Sequence, residues 1–313
     1  MTLVEGPVRV TVPATSANLG PGFDALGLAL DLRDHLEAEV LPVGLVVEVE
    51  GAGSDSVPRD ERHLVVRALR RGLAALGEEP GGLRLSCRNV IPHARGLGSS
   101  SAAIVGGLAL ARALTVDGRE RLDDDRLFGL AAAIEGHPDN VAPALLGGFV
   151  ISGRDDEEGE RDGDFFAVPA AVSERLSTVV LVPPDGVETE VARGLLPAQV
   201  THADAAANAG RAALLVTALG QRPDQLLRAT RDLLHQSYRR PAMPASIDLV
   251  AELRRAGHPA IVSGAGPTVL VVHDALPGSP AAAAVLAHCP EGWTGLELAV
   301  DRRGVVHEPG RHA

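Results

Sequence analysis

Four short stretches of this 313-residue chain concentrate the side chains able to do chemistry. The first is IPHARGLGSSSA, residues 91–102. Gly96 and Gly98 permit close backbone approach and unusual dihedrals. The apolar helical run that follows offers the unpaired N–H groups of its first turn and the positive end of its dipole. Together they form an anion site that needs no Lys, and the Ser hydroxyls can add hydrogen bonds or ligate a phosphate-bound Mg²⁺. A plain Gly-Ser helix cap accounts for the spacing equally well. A Rossmann fingerprint fits less well, because Ser101 stands where Gly belongs and Pro92 disrupts the approach. A hydrolase elbow around Ser100 would need Gly where Ala102 stands.

The second stretch is EGHPDN, residues 135–140, at the end of an apolar helical segment. Glu135 suits Mg²⁺ ligation, His137 suits polar contact, and Asp139 or Asn140 could orient a hydroxyl. Simple helix termination at Pro138 is the competing account, and in isolation the stronger one. In the third, PATSANLGPGFDALG (residues 13–27), Thr15, Ser16, Asn18 and Asp24 could line a pocket at a strand end. Taken alone it reads as a polar loop. The fourth, VSGAGPTVLVV at 262–272, sets small residues before a strand, where another backbone can come close.

Elements to position these stretches are legible in outline. Strands are expected at 7–13, 45–50, 83–87, 178–183, 268–273, 295–300 and 304–308. Helices are expected at 60–76, 99–114, 123–135, 189–196, 204–219, 223–236, 245–256 and 280–288. The mixed order of strands and helices favours α+β layers over a doubly wound parallel sheet. The acidic run RDDEEGERDGD, 154–164, reads as a solvated loop rather than a metal cluster, and a boundary beside it gives two domains, 1–153 and 154–313. The last strands are free to return to the first domain.

Composition narrows the chemistry. All 29 basic residues are Arg, which excludes a Walker A loop, a protein-kinase fold and Schiff-base chemistry. The net charge of −12 and seven aromatics disfavour nucleic acid and favour a small-molecule partner. Cys87 and Cys289 have no second Cys near them for a zinc pair and read as reduced thiols. No signal peptide and no membrane span are visible, so a cytoplasmic protein is expected, with a homodimer left open.

Together the four stretches resemble the GHMP small-molecule kinases, and among them the homoserine kinase family. VPATSANLGPGFDALG is similar to that family's first motif, IPHARGLGSSSA to its ATP-phosphate loop, EGHPDNVAPALLGG to its metal and substrate segment, and SGAGPTVL to its third motif. The resemblance runs from about residue 8 to 273, in the family's order. It implies a two-domain α+β GHMP-kinase fold, with a ribosomal-protein-like first domain and a ferredoxin-like second. It implies transfer of the ATP γ-phosphoryl group to the hydroxyl of L-homoserine, a step toward threonine. Ser100 and Glu135 then match the Mg²⁺ ligands. Asn18, Asp24, His137 and Asn140 match substrate contacts, and Arg193 and Arg239 match the substrate-carboxylate arginines. The nucleotide loop covers Pro92, His93, Ala94, Arg95, Gly96, Leu97, Gly98, Ser99, Ser100, Ser101 and Ala102.

An Arg fork grips a carboxylate in two parallel bonds, and a carboxylate such as Asp24 pairs an ammonium. Asn140 cannot be a general base, so it is expected to orient the hydroxyl, with Asp139 as the rival base. His63 stands where the family often has Asn near the adenine pocket and is left outside the site. A kinase for another small carboxylate-bearing alcohol and an inactive ATP- or metabolite-binding homologue are the competing functions.

Overall fold

A computed structural model describes residues 2–155 and 165–308, so most of the acidic run at 154–164 lies outside the described residues. A first sheet holds β1 (Val8–Ala17), β2 (Leu26–Leu41), β3 (Gly44–Gly51), β4 (Gly82–Asn89), β5 (Phe149–Arg154) and β6 (Phe165–Ala170). A second holds β7 (Leu176–Val182), β8 (Ala260–Val262), β9 (Val269–Asp274) and β10 (Thr294–Ala299), and β11 (Val306–Glu308) returns to the first. The helices of the first half are α1 (Leu64–Ala75), α2 (Ser99–Leu114), α3 (Gly118–Arg121), α4 (Asp124–Glu135) and α5 (Val141–Leu146). Those of the second are α6 (Thr189–Gly194), α7 (His202–Gly220), α8 (Leu226–Ala229), α9 (Pro244–Arg255) and α10 (Pro280–Leu286).

The first sheet runs β11-β1-β2-β4-β3, with β5 on β2 and β6 on β5. Among the described residues only β3 and β4 pair in parallel. The second sheet runs β10-β7-β9-β8 and is antiparallel throughout, the order of a ferredoxin-like domain. The expected α+β architecture is therefore present.

Strand β2 is the longest element of the first sheet and has no counterpart among the expected strands. Its even positions are nonetheless apolar from Leu26 through Leu28, Leu30, Leu32, Leu36, Ala38 and Val40. Within this row Leu36 packs against Gly106 of α2, while Gly27, of the other row, lies against Pro143 of α5. Asp34 alone interrupts the row, and it is buried. Strand β7 obeys a different rule because both of its faces are covered. Val180 and Val182 join the large core beneath the first domain, while Val179 and Leu181 face α9 and α10.

Helix boundaries follow local chemistry. Asp123 caps α4 by accepting the Arg126 N–H, and Thr201 caps α7 by accepting that of Asp204. Helix α1 starts only at Leu64, because residues 60–63 form a turn in which the Asp60 carboxylate takes the Arg62 N–H. The helix expected over 223–236 breaks after Ala229. There the Asp232 carboxylate accepts the N–H groups of Leu234, His235 and Gln236, giving the backbone a better partner than the helix ladder.

The first sheet also runs past the boundary expected at 153/154, since β6 pairs with β5 along its whole length. The second sheet begins with β7 at Leu176, and β11 pairs antiparallel with β1. Among the described residues no helix is long and apolar enough to cross a membrane. Both cysteines are free, and burial pushes the Cys87 thiol up to about 12.

Candidate active site

Strand β4 delivers the chain to the 91–98 loop, and α2 starts at Ser99. Gly98 sits at the N-cap in the left-handed region, φ 70°, and no side chain caps the first turn. Its donors are thus free for an anion. A side chain at Gly98 would run into Thr15 and crowd Asn140, so the first three motifs converge on this glycine. Thr15 Oγ1 donates to Asn140 Oδ1 at 2.8 Å, fixing the amide and leaving its NH₂ to donate.

On the next turn, Ser100 Oγ and Ser101 Oγ donate to the two oxygens of Glu135 at 2.8 and 2.7 Å. This joins the start of α2 to the end of α4 in an all-oxygen cluster. Such a donor set suits a hard cation that completes its shell from phosphates and water. Among the described residues there is no group of three or more His, Cys, Asp or Glu side chains able to hold a metal unaided.

A cavity of about 430 Å³ opens beside this cluster. Gly96, Gly98, Ser99, Ser100 and Glu135 line it together with Asn18, His137, Asp139, Asn140, Arg193 and Arg239. His137 is pulled down by burial, but the hydrogen bond and charge of Asp139, with Glu135, more than offset this and leave its pKa raised. Asn18 Nδ2 donates to the Gly264 carbonyl at 2.9 Å, and Arg239 Nη1 donates to the same oxygen at 2.7 Å. Arg239 is 1% exposed. Burial, then the neighbouring Arg193, pulls its pKa to about 10. No acidic side chain among the described residues forms an ion pair with it, and its Nε has no partner.

Asp24 lies just outside the lining residues. It receives both Nη groups of Arg193, at 2.6 and 3.0 Å. The acid and the base matched to opposite ends of an amino-acid substrate are thus each other's partners.

The expected nucleotide stretch 92–102 divides into parts with different surroundings. Ala94, Gly96, Gly98, Ser99 and Ser100 line the cavity. Leu97 and Ala102 are buried in the core, and Ser101 is committed to Glu135. Pro92 lines neither this cavity nor the one beside it. Arg95 turns away from the cavity. Its guanidinium donates to the carbonyls of His93, Pro183 and Pro184, and Ala94 accepts the Val187 N–H, so the loop is tied to the second domain.

His93 lines a neighbouring cavity of about 260 Å³, with Val57, Pro58, His63, Leu64, Val65 and Asp34 among its walls. Ser99 and Ser100 border both cavities. His63, left outside the expected site, lines this neighbouring cavity. Its Nδ1 is buried without a partner, and burial, then His93, lowers its pKa. A larger hollow, about 650 Å³, lies on the outer face of the first sheet around Arg9 and Glu37 and shares none of these residues.

Sequence reasoning also passed over Glu188, Thr189 and Glu190, which form a rim of the main cavity. Their signal was the start of α6, only a few residues before Arg193.

Two family descriptions match the chain: "GHMP kinases N terminal domain" over residues 63–148 and "GHMP kinases C terminal" over 208–291. The homoserine kinase of Streptomyces avermitilis is 54% identical over 95% of this chain and 94% of its own length. The chain belongs to the GHMP kinase family. Within it, the homoserine kinase of Streptomyces coelicolor is 53% identical over 96% of the chain and 94% of its own length. The crystal structure of homoserine kinase from Cytophaga hutchinsonii superposes with a TM-score of 0.83 at 25% identity, covering 98% of this chain and 99% of that one. The mevalonate kinase of L. major has the same fold, at TM-score 0.65 and 16% identity, covering 96% of this chain and 97% of its own.

Proposed function

We propose that this GHMP kinase transfers the γ-phosphoryl group of ATP to the side-chain hydroxyl of L-homoserine, giving O-phospho-L-homoserine for threonine biosynthesis in the cytoplasm. The observation that carries the acceptor is Arg239. A guanidinium 1% exposed with no carboxylate partner is costly unless a ligand supplies one, and it borders the same cavity as Ser100 and Glu135. The names of the curated relatives supply the identity of that ligand.

In this reading the phosphates lie over the α2 N-terminus, and the base occupies the cavity beyond Ser99 and Ser100. Ser100 and Glu135 would hold Mg²⁺, which supplies neutralisation of charge on the phosphate oxygens. The homoserine carboxylate meets Arg239 and Arg193, while its ammonium meets Asp24. Substrate binding exchanges one internal ion pair for two intermolecular ones, so little net charge is desolvated. Asn140, held by Thr15, donates to the acceptor hydroxyl oxygen and aims it at the phosphorus. The bond from the γ-phosphorus to its bridging oxygen breaks as the new P–O bond forms, and the hydroxyl proton passes to the transferred group. A loose transition state needs positioning and charge stabilisation more than a strong base.

The test is ADP release. It should require homoserine and Mg²⁺ together and respond poorly to mevalonate, galactose or shikimate. An enzyme that releases no homoserine-dependent ADP sinks the proposal.

A further inference from the structure

We propose that His235 and Phe23 are positioning residues for carboxylate recognition: the buried imidazole fixes the Gly20–Asp24 limb, and the Phe23 ring sets how Arg193 and Arg239 face the substrate. The inference rests on the homoserine reading above and adds residues that reading does not use.

The limb and the segment after α8 are braced at two fully buried points. His235 Nε2 donates to the Gly20 carbonyl at 2.8 Å. Asn208, on α7, donates from Nδ2 to the Pro21 carbonyl at 2.7 Å and accepts the Leu233 N–H at 3.1 Å. Gly20 has φ +84°, and a side chain there would meet the Thr230 backbone, so the two segments are in direct contact. His235 is wholly buried. Nε2 carries the proton it donates, and Nδ1 is buried without a partner. Burial pulls the imidazole well below its ordinary value, against the charge of Asp232 3.7 Å away, and so favours the neutral ring.

Phe23 carries the effect to the cavity. Its ring lies 5.3 Å from the His235 ring, tilted by 31°. The Arg193 and Arg239 guanidinium carbons stand 5.5 and 5.9 Å from the same ring centroid. One aromatic ring thus sits against both cations matched to the carboxylate, and a third basic side chain, kept uncharged, seats the ring. The ring quadrupole attracts each guanidinium, adding to the Asp24 pair at Arg193 and giving Arg239 a neighbour that does not neutralise it. A carboxylate at Phe23 would quench Arg239, and an aliphatic residue would remove this attraction from both.

Steady-state kinetics of His235→Leu, His235→Gln and Phe23→Leu test this, using L-homoserine and 3-aminopropan-1-ol, which keeps the hydroxyl and amine but lacks the carboxylate. His235→Leu and Phe23→Leu should raise the homoserine KM by ~10–100-fold, as a displacement of about 1 Å can. The ATP KM should stay within about threefold, and the preference for homoserine over the amino alcohol should fall by the same factor as the KM rises. His235→Gln, which keeps a donor for Gly20, should stay closer to wild type. A homoserine KM within about twofold of wild type in Phe23→Leu, or an ATP KM rising in step with it, overturns the proposal. If His235→Leu fails to fold, Phe23→Leu and His235→Gln still decide. Wild-type enzyme that does not use homoserine overturns the underlying reading, and this inference with it.

Discussion

His137 and Asp139, two positions apart, are joined by a hydrogen bond of 2.8 Å from Nδ1 to Oδ1. Asp139 is 1% exposed and lines the main cavity, with one carboxylate oxygen holding the imidazole; in the proposed reading it positions His137 and does not take the substrate proton. Asp139→Asn should therefore keep turnover within about tenfold of wild type, and a loss of ~10³-fold would make Asp139 the base after all. A second signature follows from the sign of the coupling. The folded pKa of His137 lies above its ordinary 6.5, so the pair's stabilisation is full below that value and fades as pH rises through the folded pKa. Urea unfolding of the Asn variant should lack this component.

Glu135 holds both serine hydroxyls of the α2 start, and Gln in its place keeps the shape but loses the charge. At low Mg²⁺, Glu135→Gln should be slower by ~10–100-fold, and excess Mg²⁺ should restore part of the rate. A defect indifferent to Mg²⁺ concentration would remove Glu135 from the metal site.

Asp34 gives a stability prediction with a defined sign. Burial pushes its carboxyl from 3.8 up to about 6, against the pull of the Ile91 and Val90 N–H groups. A raised folded pKa means stability present near pH 4 and lost as pH rises through 6. The shift corresponds to a cost on the order of 3 kcal/mol. Asp34→Asn avoids that cost, so wild type minus variant should fall by about this amount between pH 4 and 7 in denaturant titrations. A difference independent of pH would show that the carboxyl titrates normally.

The pair Arg33–Asp301 ties the β10–β11 connection to the first sheet, with side chains 9% and 1% exposed. Asp301 also accepts the N–H groups of Arg303 and Gly304 at 2.9 and 3.0 Å. Asp301→Ala leaves a buried guanidinium without its charge partner and should cost about 3–5 kcal/mol in unfolding free energy. A loss below about 1 kcal/mol would mean that water reaches the site.

Periodicity and caps made much of the fold legible. The bounds of α2 are those expected from the run after Gly98, and α4 and α7 start within two residues of the expected positions, each capped by a side chain, Asp123 and Thr201. Strand β2 escaped because Asp34 breaks its apolar row and because the strand is long enough to cross several local compositions. The segment 230–239 escaped for a different reason. Its apolar spacing is helical, but the Asp232 carboxylate captures the N–H groups a helix would use. Candidate site residues stand out one by one within the motifs, and their partners do not. Nothing in the spacing of Arg95 sends it to the Pro183 and Pro184 carbonyls, and nothing in that of Asp24 joins it to Arg193. His235 lies four positions before Arg239, and Asn208 lies on α7, but only the folded chain brings both against the Gly20–Asp24 limb.

The antiparallel register of β11 on β1, Arg9 opposite Glu308 and Thr11 opposite Val306, has a consequence for biosynthesis. The ladder joins two segments with nearly all of the other strands between them in the chain, so the later one is made well after the earlier. At ~5–20 residues per second, β1 waits roughly 15–60 s for its neighbour on that side. Throughout that interval an apolar-backed edge is exposed to other nascent chains. The first domain is therefore obliged to finish folding after the second has been made, and its dependence on chaperones should exceed that of a domain whose sheet closes on itself.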